Sequence, residues 1–310
     1  MRHVIPIGIL WLAFSVHTRA ADIRAPRLGY IWDSAAQSVR PVEGIPGAAL
    51  LGQALDLGGQ FTRAIICENL SYILAISSRE RTPFVLQIGT DGVTSHAIEG
   101  AMPVDRMVLS PSGTSALLYE ARGQILQIVT GLPGTPAVTR EIRGPVVEAM
   151  SVSDDGLLVL LAVGDALEPA FLSGNSEVPS SIPVSGPVSA MALRPHSHDA
   201  LLATAGRITW VPSLDSNPSY EAVDEDPSAP LALSFSHDGS RFFAAYTDGR
   251  IRVRSLVSGD SSVTTCPCVP DRLQPLRGDS VFALNQAGQG PLFIYDSTNN
   301  RVVFVGRGDQ

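Results

Sequence analysis

The chain contains no lysine; all 22 of its basic residues are arginine. Schiff-base chemistry and every other route through a lysine amine are therefore excluded. Positive charge is scarce in general, because 30 acidic side chains stand against those arginines. Such a balance disfavours nucleic acid and anionic membranes, whose affinity rests on basic groups. Aromatic residues make up 6% of the chain. Beyond residue 20 only Trp32 and Trp210 remain as tryptophans, too few for the aromatic platforms that sugar binders use. Catalytic signatures are missing as well. No Gly-x-Ser-x-Gly elbow, His-Glu-x-x-His pair or glycine-rich phosphate loop occurs. The sequence therefore gives no catalytic residue, no resident metal and no cofactor.

Cysteine is limited to Cys67, Cys266 and Cys268. Cys266-Pro267-Cys268 forms either two free thiols, a tight local disulfide or, with ligands that the sequence does not display, the start of a metal site. Long apolar runs are confined to the N-terminus. Arg2 and His3 precede the apolar stretch Val4–Val16, and Thr18-Arg19-Ala20 offers small residues at the positions a leader peptidase reads. Thirteen residues are too few to cross a bilayer as a helix. Residues 1–20 read as a signal peptide and 21–310 as a single exported, soluble domain, periplasmic or extracellular. Removing Arg2 and Arg19 leaves 20 arginines against 30 acids, a net charge near −10.

What is present in abundance is turn chemistry, with 28 glycines and 23 prolines, and it is periodic. An apolar strand, a short polar turn and a second apolar strand recur. The turn reads Ser110-Pro111-Ser112-Gly113, then Ser153-Asp154-Asp155-Gly156, then Ser236-His237-Asp238-Gly239, with a degenerate copy at Arg194-Pro195-His196-Ser197. Cys67-Glu68-Asn69-Leu70 and Arg277-Gly278-Asp279 lie in the same register. Anchors at 67, 110, 153, 194, 236 and 277 are 41–43 residues apart. A period of roughly 40–45 residues with several short strands per unit is the pattern of a β-propeller blade. The fold expected is all-β, seven four-stranded blades with repeats near 21–60, 61–103, 104–145, 146–186, 187–229, 230–270 and 271–310. The alternative is six blades plus an N-terminal hairpin. In the first case Arg301–Gly306 closes the ring against the N-terminal unit.

Within the repeats four strands, a to d, can be read. The repeat at 104–145 gives Arg106–Ser110, Ala116–Glu120, Gln124–Thr130 and Ala137–Ile142. That at 230–270 gives Leu231–Ser236, Arg241–Tyr246, Arg250–Leu256 and Ser262–Thr265. Strands a and b are largely apolar, Leu157–Leu161 most of all, as strands covered on both faces are. The N-terminal unit offers Leu28–Trp32, Ser38–Val42 and Ala49–Leu57 without an obvious innermost strand.

The stretch from Ser236-His237-Asp238-Gly239 through Tyr246-Thr247-Asp248-Gly249-Arg250-Ile251-Arg252-Val253 resembles a WD-repeat or YVTN-type blade. In those families one Asp-Gly turn joins the inner strands and a second leads into strand c. Arg254-Ser255 stands where the Trp-Asp dipeptide belongs, and the family's Gly-His pair is absent. The resemblance implies a propeller that presents loops to a partner, and implies no activity.

Three clusters carry polar residues in numbers. His196-Ser197-His198-Asp199 has the spacing of two ligands on a strand, but its register makes it a turn. Glu221, Asp224, Glu225 and Asp226 read as a solvated acidic loop, lacking calcium-ligand spacing. Arginines mark the b–c turns: Arg81, with Arg79 beside it, then Arg122, Arg207 and Arg250. Converging on one face, Arg81, Arg122, Arg207 and Arg250 would hold a carboxylate, a phosphate or an acidic peptide. The function expected is non-enzymatic binding of an unidentified protein or peptide by a monomer, with no nucleic acid and no membrane insertion. The alternative is a propeller-type hydrolase or lactonase with carboxylates and a divalent metal at the channel mouth.

Overall fold

In the computed structural model the described residues are 26–67, 71–89, 92–144, 146–164, 166–171, 178–179, 184, 186–288 and 290–308, with strand backbone alone given for 166–171 and 178–179. Residues 1–20, read from sequence as a signal peptide, and Glu68-Asn69-Leu70 of the first turn lie outside them. Every regular element among the described residues is a strand. The N-terminal unit supplies β1 (Arg27–Asp33), β2 (Ser38–Glu43) and β3 (Leu50–Leu51). Next come β4 (Phe61–Cys67), β5 (Tyr72–Ser77), β6 (Pro83–Gly89) and β7 (Gly92–Ala97). The second repeat forms β8 (Arg106–Leu109), β9 (Ala116–Glu120), β10 (Ile125–Thr130) and β11 (Ala137–Arg143). The third forms β12 (Ala149–Val152), β13 (Leu158–Val163), β14 (Ala166–Phe171) and β15 (Val178–Pro179). The fourth gives β16 (Ala190–Leu193), β17 (Ala200–Thr204), β18 (Arg207–Val211) and β19 (Glu221–Glu225). The fifth gives β20 (Pro230–Phe235), β21 (Arg241–Tyr246), β22 (Arg250–Ser255) and β23 (Ser261–Thr265). The last supplies β24 (Gln274–Arg277), β25 (Val281–Ala283), β26 (Leu292–Asp296) and β27 (Arg301–Arg307).

Repeats one to five each make a four-stranded antiparallel meander. The strands read from sequence in the second and fifth repeats lie within a residue of those observed. The remaining strands merge into one seven-stranded sheet, ordered β1-β2-β3-β27-β26-β25-β24. Its seam is a parallel pairing of Gly306 with Leu50 and Arg307 with Leu51. The C-terminal strand thus meets the N-terminal unit, which supplies three strands of its own where a four-stranded blade was expected.

Each apolar b strand feeds two cores because successive side chains point to opposite faces. In β9, Ala116 and Leu118 join the cluster shared with the first repeat, whereas Leu117 and Tyr119 join the one shared with the third. The same division continues through the fourth, fifth and sixth repeats. One further cluster joins β2 to β4–β6, and another joins β1–β3 to β24–β27. Burial of each such side chain contributes roughly 1.5–3 kcal/mol, so the interfaces between sheets carry most of the stability.

One expectation is corrected. The acidic run is no solvated loop: Glu221–Glu225 is β19, the outer strand of its sheet, and Asp224 and Asp226 are buried at 7% and 8% exposure. The physical reason lies one repeat away, in Arg250 and Arg252 of β22, which supply the counter-charge burial demands.

Candidate functional site

Alternating strand direction puts the a–b and c–d turns at one end of the molecule. The b–c turns and the connections between repeats lie at the other. At the first end the turns are bonded to each other. The Asp154 carboxylate accepts from the Ser112 backbone N–H at 2.7 Å with one oxygen and from that of His196 at 2.8 Å with the other. Its carbonyl oxygen accepts from the Thr114 and Ser115 hydroxyls, each at 2.8 Å. Asp279 repeats the arrangement, both oxygens accepting from the His237 N–H at 2.7 and 2.9 Å. These backbone donors and their carboxylates are 42 residues apart. The sequence period is thus also the spacing of the residues that bond repeat to repeat. The Arg277-Gly278-Asp279 tripeptide belongs to this girdle.

His198 extends it. Its Nε2 lies 2.9 Å from Asp155 in the third repeat and its Nδ1 lies 3.0 Å from Asp215 in its own. The cleft around it has a volume of about 650 Å³ and also exposes His196, Asp199 and Ser213. Burial works to raise the Asp155 carboxyl, but hydrogen bonds from Ser153 and Leu157 and the nearby imidazole outweigh it and hold it below its ordinary value. The hydrogen bond from His198 lowers Asp215 likewise. The Ser153 hydroxyl donates to Asp155 at 2.5 Å and accepts from the Leu158 N–H at 2.9 Å. Serine, aspartate and histidine therefore stand in an order that puts the carboxylate rather than the imidazole on the hydroxyl, and a nucleophilic triad needs the imidazole there.

The four arginines expected to form a site sit at four b–c turns of the other end, each with its own surroundings. Arg250 embraces Asp226 with both terminal nitrogens, at 2.6 and 2.8 Å, and reaches Asp248 at 2.6 Å through Nε. Arg252 adds Asp224 and, at 3.0 Å, Asp226. Both guanidinium groups lie over the Tyr246 ring, and the Tyr246 hydroxyl donates to Asp224 at 2.5 Å. Hydrogen bonds from Arg250 hold the Asp226 carboxyl well below the usual carboxylate range. Burial, with Asp224 beside it, pushes the Tyr246 phenol up. Arg81 pairs with Asp105, whose second oxygen accepts from the Ala121 N–H at 2.9 Å. Arg207 stands 3.8 Å from Glu225, both side chains at least half exposed. Arg122 is exposed at the turn leading into β10. Arg81, Arg207 and Arg250 pair with carboxylates of the d strands and connections around them.

Sequence reasoning missed the mouth of the channel between the inner strands. There a cavity of about 360 Å³ is lined by Trp32, Ser34, Thr62, Arg63, Ala64, Ile65, Met107, Arg272 and Gln286. β1 runs antiparallel to its inner neighbours. The Tyr30 carbonyl accepts from Gln274 while Gly29 abuts Leu276. Its start shares a cleft with Ile66 and Cys67, and its end shares the mouth cavity with Thr62 and Arg63. The cavity therefore lies at the b–c end. The one available signal was Thr62-Arg63, a polar pair inside an otherwise apolar inner strand. A second cavity of about 290 Å³ is walled by Val108, Met150, Met191, Leu233 and Phe235 and extends to the a–b turns at Pro111, Pro195, His237 and Asp279. Cys266 and Cys268 are joined as a local disulfide between the fifth and sixth repeats, and buried Cys67 takes no part in it.

No family model matches the chain, and neither does any curated protein. Among solved structures it is similar to a functionally unknown protein from Desulfotomaculum acetoxidans. The TM-score is 0.62 at 14% identity, covering 90% of this chain and 99% of that one. It is also similar to the β-propeller domain of Cps50 (Swd1) from Myceliophteria thermophila, with a TM-score of 0.58 at 14% identity, covering 80% and 87%. The chain is a β-propeller. At such identity the likeness extends to the fold, so the resemblance to WD-type blades holds for the propeller's architecture.

Proposed function

We propose that this propeller is an exported, soluble monomer of seven blades that binds a protein or peptide at its b–c end and performs no chemistry. Supporting the blade count is the run of cores between sheets, the last of which joins the N-terminal and C-terminal strands. The observation that carries the binding reading is the contrast between the two ends. At the a–b end, carboxylates, hydroxyls and imidazole are engaged in holding one repeat to the next. At the b–c end, half-exposed Arg81 and Arg207 and exposed Arg122 lie at the b–c turns, and Val146 and Val269 lie in the connections between repeats, 64% and 66% exposed. Arginine interspersed with exposed apolar side chains is the composition of a docking surface.

The test is affinity capture from the native exported fraction with the wild-type chain and the triple variant Arg81→Gln, Arg122→Gln, Arg207→Gln. Arg250 is left intact because of its structural pairs. Loss of a captured partner from the triple variant alone, at unchanged melting temperature, is the expected result. Equal capture by both chains, or turnover of a lactone and ester panel by the wild type, overturns the reading.

A further inference from the structure

The channel-mouth cavity differs in charge from the rest of the molecule. Its lining includes two arginines and no carboxylate, in a chain with 30 acidic side chains. Arg63 is exposed in β4, and among the described residues its guanidinium has no hydrogen bond or ion pair. Arg272 meets only the neighbouring Asp271, at 2.7 Å through Nε, leaving its two terminal nitrogens open. Its backbone is anchored, since the Asp271 and Arg272 N–H groups both donate to the Leu284 carbonyl at 2.9 and 3.3 Å. The opposite wall is equally fixed. Asp33 caps the β1–β2 turn by accepting from Ala35 and Ala36 at 3.0 and 3.1 Å, and the Ser34 hydroxyl reaches the Ala287 carbonyl at 3.5 Å. Between the walls, half-buried Trp32, Ala64 and Ile65 with Met107 make an apolar floor, and the exposed Gln286 amide lies at the edge.

From this geometry we infer that the channel mouth is a binding site for a small organic carboxylate with an aromatic or aliphatic body. The guanidinium groups of Arg63 and Arg272 take the carboxylate, for which a planar fork is suited. The body lies against Trp32 and Ile65, where apolar contact adds affinity that an inorganic anion does not gain. A cavity of about 360 Å³ falls within the range of small-molecule pockets, roughly 300–1,000 Å³. The site stands whether or not a protein docks on the surrounding turns.

Trp32 reports on it directly. The only other tryptophan beyond residue 20 is Trp210, packed 5.7 Å from Phe235 in a different part of the ring. In a Trp210→Phe background, titration with phenylacetate, indole-3-acetate and octanoate is followed by Trp32 fluorescence and by calorimetry. Each acid is paired with its neutral amide, and inorganic phosphate serves as a further probe. Saturable binding of at least one acid is expected, with its amide at least about tenfold weaker, the worth of a charge-assisted hydrogen bond. Arg63→Gln and Arg272→Gln each weaken it by a similar factor, while Arg143→Gln, exposed on the outer strand β11, leaves it unchanged. Absence of saturation with all three acids overturns the proposal, as does equal affinity for acid and amide or for phosphate and acid. The acid–amide comparison needs no arginine variant, so it decides even if one of them folds poorly.

Discussion

At the scale of the residue, the most consequential group is Asp226. Its buried carboxylate is charged because Arg250 and Arg252 face it from the next repeat, and removing Arg250 leaves that charge and Asp248 with reduced compensation. Breaking a buried pair from one side costs about 3–5 kcal/mol, and Arg250, whose side chain is 27% exposed, belongs at the lower end. Arg250→Met is expected to lose roughly 3 kcal/mol at pH 7 by denaturant titration. The pH dependence has a definite sign. A carboxyl lowered by folding stabilises above its unfolded value, near 4, and that contribution is lost as pH falls through the folded value. The gap between wild type and Arg250→Met therefore narrows from pH 5 downward; a gap constant to pH 2.5 contradicts the assignment. His198 is the second test at this scale. His198→Ala removes the bridge between Asp155 and Asp215 and is expected to cost about 1 kcal/mol, read as a fall in Tm of a few degrees.

At the scale of the element, legibility followed side-chain pattern. The a and b strands were read almost to the residue because apolar runs bounded by Ser-x-Asp-Gly turns have few alternative readings. The acidic run failed because its four carboxylates mask a strand whose buried carboxylates, Asp224 and the adjoining Asp226, are neutralised 24–28 residues later in sequence. Such compensation leaves no local trace. The N-terminal unit was partly legible for a related reason. Its third strand has two residues and is completed by the far end of the chain, and its first strand runs opposite to the inner strands beside it. Gly29 permits that packing: at φ +154°, an added Cβ would sit 2.3 Å from the Leu276 carbonyl oxygen. Gly29→Ala is expected to destabilise by on the order of 2 kcal/mol. Gly58→Ala, also at positive φ but with nothing within 4 Å, measures the backbone strain alone. Equal losses in the two variants would show that β1 does not press on β24.

For the whole molecule, the period in the sequence fixes which residues meet, since the turn carboxylates bond their neighbours one repeat away. The candidate sites were less legible. The b–c arginines are visible in the sequence, but the carboxylates that Arg81, Arg207 and Arg250 meet lie mostly in β19 and in the connections between repeats. The channel mouth draws on β1, β4 and the connection before β24, and no stretch of sequence shows it assembled. Ring closure is testable by removing residues 301–310. That deletion strips β27 from both β26 and β3 and exposes the core around Val305. A loss of roughly 4 kcal/mol and about 10 °C in Tm is expected, with a broadened transition. An unchanged melt would mean that the two ends of the chain do not hold each other.

The central claim is that the b–c end, not the a–b end, meets a partner. Hydrogen exchange of the chain, alone and with the partner captured from the native exported fraction, measures this most directly. The account predicts slowed exchange at residues 79–82, 121–124 and 205–207 and in the connections around 146 and 269. Slowing confined to the turns at 111–114, 154–157, 195–198 and 237–240 would contradict it.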